Sequence, residues 1–193
     1  MRKRINRLFR LLVPRKGRGG AFARNERGAV LIEFAILALP FFTLIYAILE
    51  TSIVFLTGQI LDGAVNDASR MVRTGQAQTA GWDIDDFREE MCGRLYGLFD
   101  CSQLRIKVSV VSTFQSAAIE EPVGEDCLPD GSEDDCEWLI DEAYAAGVGS
   151  EVVLVQTYYK WPTIVNMPGF NLANMAGGKR MLSAVRVFKN EPF

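Results

Sequence analysis

The chain has 193 residues, a net charge of −3 and no histidine, which removes Ser-His-Asp and Cys-His catalysis and histidine-ligated metals. The small net charge conceals a division. Residues 1–27 hold ten Lys/Arg against one acid, Glu26, and the remainder holds eleven bases against twenty-three acids. A basic head, an apolar stretch and an acidic body describe a chain sorted across a membrane, its Lys/Arg-rich end kept in the cytoplasm and its body exported.

In chain order, residues 1–28 read as a basic cytoplasmic leader. Within it INRLFRLLV has the pattern of a short amphipathic helix on the inner membrane face, broken by PRKGRGG. A nucleic-acid-binding arm is the other reading of so basic a head; it is set aside because a membrane segment follows directly, and no nucleic-acid partner is expected. Residues 34–49 carry no charge. With Ala29 to Ile32 before them and residues 51–61 after, they form one apolar run interrupted by Glu33 and Glu50. A hydrocarbon core is crossed in about 20 residues, so residues 29–52 are expected to be a single transmembrane helix, kinked or loosened at Pro40.

The helical period continues beyond the membrane. Ile53, Leu56, Ile60, Ala64, Val65, Ala68, Met71 and Val72 recur at helical spacing, Arg70 and Arg73 suit a C-terminal turn, and Gly75 suits a cap. One continuous helix from about residue 30 to about 73, roughly 65 Å long, is expected. Its first half is apolar all round and its second half amphipathic.

Residues 53–193 read as an exported, periplasmic α+β domain. DIDDFREEMCGRLYGLFD places Phe87, Met91, Leu95 and Leu98 on one helix face behind an Asp83 N-cap. LRIKVSVVSTF alternates, with Leu104, Ile106, Val108 and Val110 on the inner side, and EVVLVQTYYKW and MLSAVRVF read as further strands. An acidic loop, 120–142, separates the first two strands. The fold class is α+β: a long helix packed on a small antiparallel sheet in a pilin-like arrangement.

Four cysteines in an exported domain read as disulfides. Three pairings are possible, and the local pairs Cys92–Cys101 and Cys127–Cys136 are favoured because each closes a short loop with turn residues. A four-thiolate metal site is disfavoured by the nine-residue spacings. The acidic loop reads as solvated. Asp126, Asp130, Glu133, Asp134 and Asp135 are its candidate Ca²⁺ ligands, without the DxDxDG order. Tyr158, Tyr159 and Trp161 read as packing residues; exposed, Trp161, Met167 and Phe170 would instead form a partner surface. No cofactor is implied.

Glu33 is the anomaly. An ionised carboxylate at a helix centre in lipid costs roughly 2.5–3.5 kcal/mol on insertion scales, and no base lies within residues 34–61. Either Glu33 sits shallowly beside Arg27, or scission after Gly28 frees an amine on Ala29, one helical turn away. In the second case, packed copies of the helix would pair each glutamate with an amine.

Gly28, four residues, then Glu33 and Phe34 resembles the prepilin cleavage motif of the Flp, or tight-adherence, pilus system. The stretch RGAVLIEFAILALPFFTLIYAILE is similar to the TadE-like family of pilin-like membrane proteins, over about 45 residues; the closing VFKNEPF is also similar to longer TadE-type members. The resemblance implies cleavage between Gly28 and Ala29 by a prepilin peptidase. It also implies a role as a minor pilin or pseudopilin, with other pilins and the pilus assembly platform as partners. Phe34 stands where a major pilin usually has Tyr, and the chain is far longer than a major subunit, so a minor or initiating component is expected. The protein would be a single-pass inner-membrane protein and not an enzyme. The rivals are a signal-anchored periplasmic sensor or ligand-binding domain without processing, and an exported enzyme using an Asp/Glu pair.

Overall fold

The computed structural model describes residues 26–127, 129, 136–164, 166–167 and 170–193. The leader's amphipathic segment and the Ca²⁺ candidates Asp130, Glu133, Asp134 and Asp135 lie outside the described residues; Asp126 is within them. The chain divides into two units, Met1–Ile45 and Tyr46–Phe193, and a single helix, α1 (Glu26–Arg73, 48 residues), contributes to both. Pro40 is accommodated inside that continuous helix. Its missing N–H removes one ladder bond, which membrane helices tolerate.

In the first unit most of the described apolar side chains of α1 are exposed, Val30, Leu31, Ile32, Phe34 and Leu39 among them. A helix that presents such a surface to water without a partner is unfavourable at roughly 25 cal/mol per Å². This one is long and apolar enough to cross a membrane, where that surface costs nothing.

The second unit is an α+β body. After α1 come two short helices, α2 (Gln76–Ala80) and α3 (Ile84–Cys92). Asp83 caps α3: its carboxylate accepts from the backbone N–H groups of Asp85 and Asp86, and Asp86 reciprocates on the Asp83 N–H. The helix is shorter than the spacing predicts. It ends at Cys92, where Gly93 follows, and the chain then turns through Tyr96 and Gly97, both at positive φ. Phe87, Met91 and Leu95 are buried as expected, but the turn swings Leu98 outward and places Phe99 inside.

The sheet has four strands: β1 (Arg105–Val111), β2 (Ala143–Tyr144), β3 (Val152–Pro162) and β6 (Lys179–Lys189), in the order β2-β1-β3-β6. A separate two-residue pair, β4 (Asn166–Met167) with β5 (Phe170–Asn171), lies in the connection between β3 and β6. β1, β3 and β6 are antiparallel neighbours, but β2 runs parallel to β1, so the sheet is mixed. The reason is connectivity: the chain returns from the acidic segment on the far side of β1, in the direction of β1 itself.

β3 is central and covered on both faces, with every residue from Val152 to Tyr159 buried. Val153, Val155 and Tyr159 face the main core, together with Leu61, Val65 and Val72 of α1. Each such apolar side chain contributes roughly 1.5–3 kcal/mol by leaving water. The stripe α1 buries is Val54, Thr57, Leu61, Ala64, Val65, Ala68 and Val72. Two residues of the stripe expected from the sequence, Ile53 and Leu56, are about half exposed. Around residues 53–57 nearly every position is apolar, so the pattern does not mark which face the sheet covers.

The opposite face of the sheet is covered by the segment expected to be a solvated acidic loop. Glu120 donates its backbone N–H to Gln156 Oε1 and accepts from the Tyr158 hydroxyl through its carbonyl. The Cys136 carbonyl accepts from the Lys160 ammonium, which also lies over the Trp138 ring. Cys127, Cys136, Met175 and Ala176 form a second buried cluster. Glu142 receives Arg88 Nη2 at 2.6 Å and the Ile106 N–H at 3.3 Å. The described ends of the acidic segment are therefore part of the fold.

Candidate functional site

Residues 28–34 lie within α1. Ala29 and Glu33 are an i, i+4 pair, so they share a helix face and are separated by about 6 Å along the axis. Phe34 and its apolar neighbours are exposed around them. A Cβ built on Gly28 would meet nothing within 4 Å. Packing within this chain does not require glycine there, although glycine costs a helix about 0.5–1 kcal/mol relative to alanine. Gly58 and Gly63 stand in equally open positions.

The second acid of the helix behaves differently. Glu50 lies on the buried stripe, four residues before Val54, and is itself buried. Its carboxylate accepts the backbone N–H of Ile164, 114 residues away and just beyond β3. This tether joins α1 to the sheet at the Pro162 end of β3. The opposite end of the sheet is joined at Arg73, whose carbonyl accepts at 2.9 Å the N–H of Glu191, just beyond the end of β6 that pairs with Val152 of β3. From Glu50 to Arg73 the helix rises about 35 Å, and an eleven-residue strand spans about 36 Å. Helix and central strand run alongside each other over their shared length.

A lone acid thus lies one turn inside an exposed apolar helix, and the same helix continues into a folded body. Residues 28–70 match the family model of TadE-like proteins. The match begins at Gly28, includes Glu33, Phe34 and Glu50, and stops near the end of α1. It points to the Tad pilus system. No curated protein and no solved structure matches the chain.

Beyond the TadE-like segment, the closing VFKNEPF has a structural task. Asn190 is buried, and its side-chain amide donates to the carbonyls of Ala146 (2.9 Å) and Val148 (3.0 Å). Arg73 and Glu191 add an ion pair at 3.5 Å. The Phe193 ring lies against Gly75, which is held at φ 80°, and a Cβ there would fall 2.6 Å from the ring. These residues lock the C-terminal end of α1 to the end of the sheet. Spacing alone gave no sign of this role.

Cys92 and Cys101 are joined by a disulfide, with Cα atoms 6.1 Å apart. Cys127 and Cys136 are buried thiols here, and no bridge joins them. The Cys136 thiol donates to the Cys127 carbonyl, 3.7 Å away. Burial first, and the neighbouring Cys127 second, push the Cys136 thiol up to about 11. Among the described residues no group of three or more His, Cys, Asp or Glu is placed to hold a metal ion. Tyr158 and Tyr159 are buried, and Tyr159 and Trp161 stack around Phe99. Phe170 is half-buried, and the side chain of Met167 lies outside the described residues.

Proposed function

We propose that this protein is a minor pilin or pseudopilin of the Flp, or tight-adherence, pilus system. It is held in the inner membrane with its basic leader in the cytoplasm and its α+β body outside. A prepilin peptidase removes the leader between Gly28 and Ala29. The new Ala29 amine then lies on the same helix face as Glu33, and amine–carboxylate pairing within or between copies offsets the cost of an acid in lipid. The protein works by assembly and not by catalysis: helix packing brings it to the assembly platform and to other pilins, and the body presents a surface to them.

One observation carries this reading: an exposed apolar sleeve with a single acid, Glu33, placed i, i+4 from the residue after Gly28, within the segment that matches the TadE-like family. The test is N-terminal sequencing of the membrane-extracted chain from hosts with and without the prepilin peptidase. A terminus at Ala29 only in the presence of the peptidase is the expected result. The intact leader in both hosts would leave a signal-anchored periplasmic domain. Glu33→Gln is expected to be cleaved normally and to assemble poorly; normal piliation by that variant would refute the charge-pairing step.

A further inference from the structure

The second buried cluster has a distinctive composition. Its members are Cys127, Cys136, Met175 and Ala176, with Val123 and Met181 packed against them. Four of these six residues carry sulfur, whereas the much larger main core holds only Met91 and the disulfide-bonded Cys92. A methionine in a core is ordinarily packing. Here two methionines gather around the two cysteines that form no disulfide, and thiol and thioether are both soft metal ligands. All four residues belong to the second unit.

Separate segments deliver them. Cys127 ends the short turn Glu125–Cys127. Cys136 is anchored through its carbonyl, which accepts from the Lys160 ammonium of β3. Met181, in β6, stands directly opposite Lys160 in the sheet register. The backbone N–H groups of Asn174 and Met175 both donate to the Lys179 carbonyl, and the Asn174 side chain accepts the Met181 N–H at 2.7 Å. These bonds tie the segment that carries Met175 to the start of β6. The Cys136 thiol directs its proton to the Cys127 carbonyl at 3.7 Å, a weak bond that a metal ion would displace.

We propose that Cys127, Cys136, Met175 and Met181 form a binding site for a soft monovalent metal ion, cuprous copper, held by two thiolates and two thioethers. Binding exchanges the two thiol protons, which pass to solvent, for one Cu(I), with no change of oxidation state. Ligand chemistry favours copper over zinc. Zinc takes thiolate, imidazole and carboxylate ligands. The chain has no histidine, and among the described residues no third cysteine or carboxylate joins the pair. Charge favours the monovalent ion as well. Two thiolates around Cu(I) leave one net negative charge, and a buried charge needs a partner. Lys160 and Lys179 both act on Cys136 electrostatically and supply it.

The full chain in detergent micelles is titrated anaerobically with Cu(I) buffered by the chelator bicinchoninate. The expected result is withdrawal of one Cu(I) per chain from the chelator, with a thiolate-to-copper charge-transfer band in the ultraviolet. X-ray absorption at the copper edge should show sulfur alone around the ion. Cys136→Ser should abolish uptake. Met175→Leu and Met181→Leu keep the volume and apolar character of the cluster, so they carry the test should the serine variant fold poorly. Each should weaken binding by at least the roughly 10–100-fold that loss of an outer-shell partner costs, with an unchanged near-ultraviolet circular dichroism spectrum. Zinc should bind more weakly than Cu(I). Failure to withdraw copper, nitrogen or oxygen around the ion, full affinity in both leucine variants, or tighter binding of zinc would each overturn the proposal. So would a Cys127–Cys136 disulfide in the chain as isolated.

Discussion

Asn190→Ala tests whether the closing segment locks the helix to the sheet. The substitution deletes two amide hydrogen bonds, to the Ala146 and Val148 carbonyls. A net hydrogen bond is worth about 0.5–1.5 kcal/mol. Neither carbonyl is left unmet, because Ala146 keeps the Gln78 amide at 3.0 Å and Val148 keeps the Glu151 N–H at 3.3 Å. The cost is therefore that of two net hydrogen bonds, about 1–3 kcal/mol in total. For a chain of this size that corresponds to a melting temperature lower by roughly 3–10 °C. Asn190→Asp replaces the donor by a carboxylate facing the same two carbonyls and is expected to be worse than alanine. The assay is thermal unfolding of the full chain in detergent micelles, followed by near-ultraviolet circular dichroism. A melting temperature for Asn190→Ala within 1 °C of the unaltered chain, or an aspartate variant as stable as the alanine one, would refute the lock.

Three further outcomes follow from the same geometry. Burial, then Asp86 and Asp83, push Tyr144 up to about 12, and burial raises Tyr158 as well. The folded state thus holds these protons more tightly than the unfolded chain, and the stability this contributes is complete below the ordinary tyrosine value near 10 and lost as pH rises toward 12. Melting temperatures measured between pH 9 and 12 should fall across that window. Tyr144→Phe should fall less steeply, and at pH 7 it should be no less stable, since among the described residues the Tyr144 hydroxyl has no hydrogen-bond partner. Replacing Cys92 and Cys101 by serine opens a short loop and is expected to cost about 2–3 kcal/mol, measured by the same unfolding assay. Alkylation of the unreduced, denatured chain should add two groups, at Cys127 and Cys136, by mass spectrometry. In the folded chain at pH 8, Cys136 should react about a hundredfold more slowly than an ordinary thiol.

Legibility varied along the chain for identifiable reasons. The C-terminal end of α1 was readable because Arg70, Arg73 and Gly75 act on the turn in which they sit. The Asp83 cap is equally local, and so is the alternation of β1 through Leu104, Ile106 and Val108, whereas Val110, expected on the inner side, is exposed. The buried face of α1 near residue 53 was not readable, because an all-apolar turn gives no contrast between faces. Glu50 looked like an interruption of the apolar run; the signal that could have placed it was its register with Val54, Leu61 and Val65. The acidic segment looked solvated by composition, yet Glu120, Cys136 and Glu142 hold it to the sheet through backbone carbonyls and charged partners that composition does not display.

The amino-acid order by itself determined the division of charge, the long helix and the placement of Gly28, Glu33 and Phe34. Transfer of side chains between water and lipid, and the 3.6-residue helical period, act on neighbours in the chain. Only the tertiary structure decided which face of the helix is covered, that Glu50 meets Ile164, that Asn190 bridges two carbonyls, and that β2 lies parallel to β1. Those contacts join residues tens to more than a hundred positions apart, and they exist only once the sheet and helix have packed against each other.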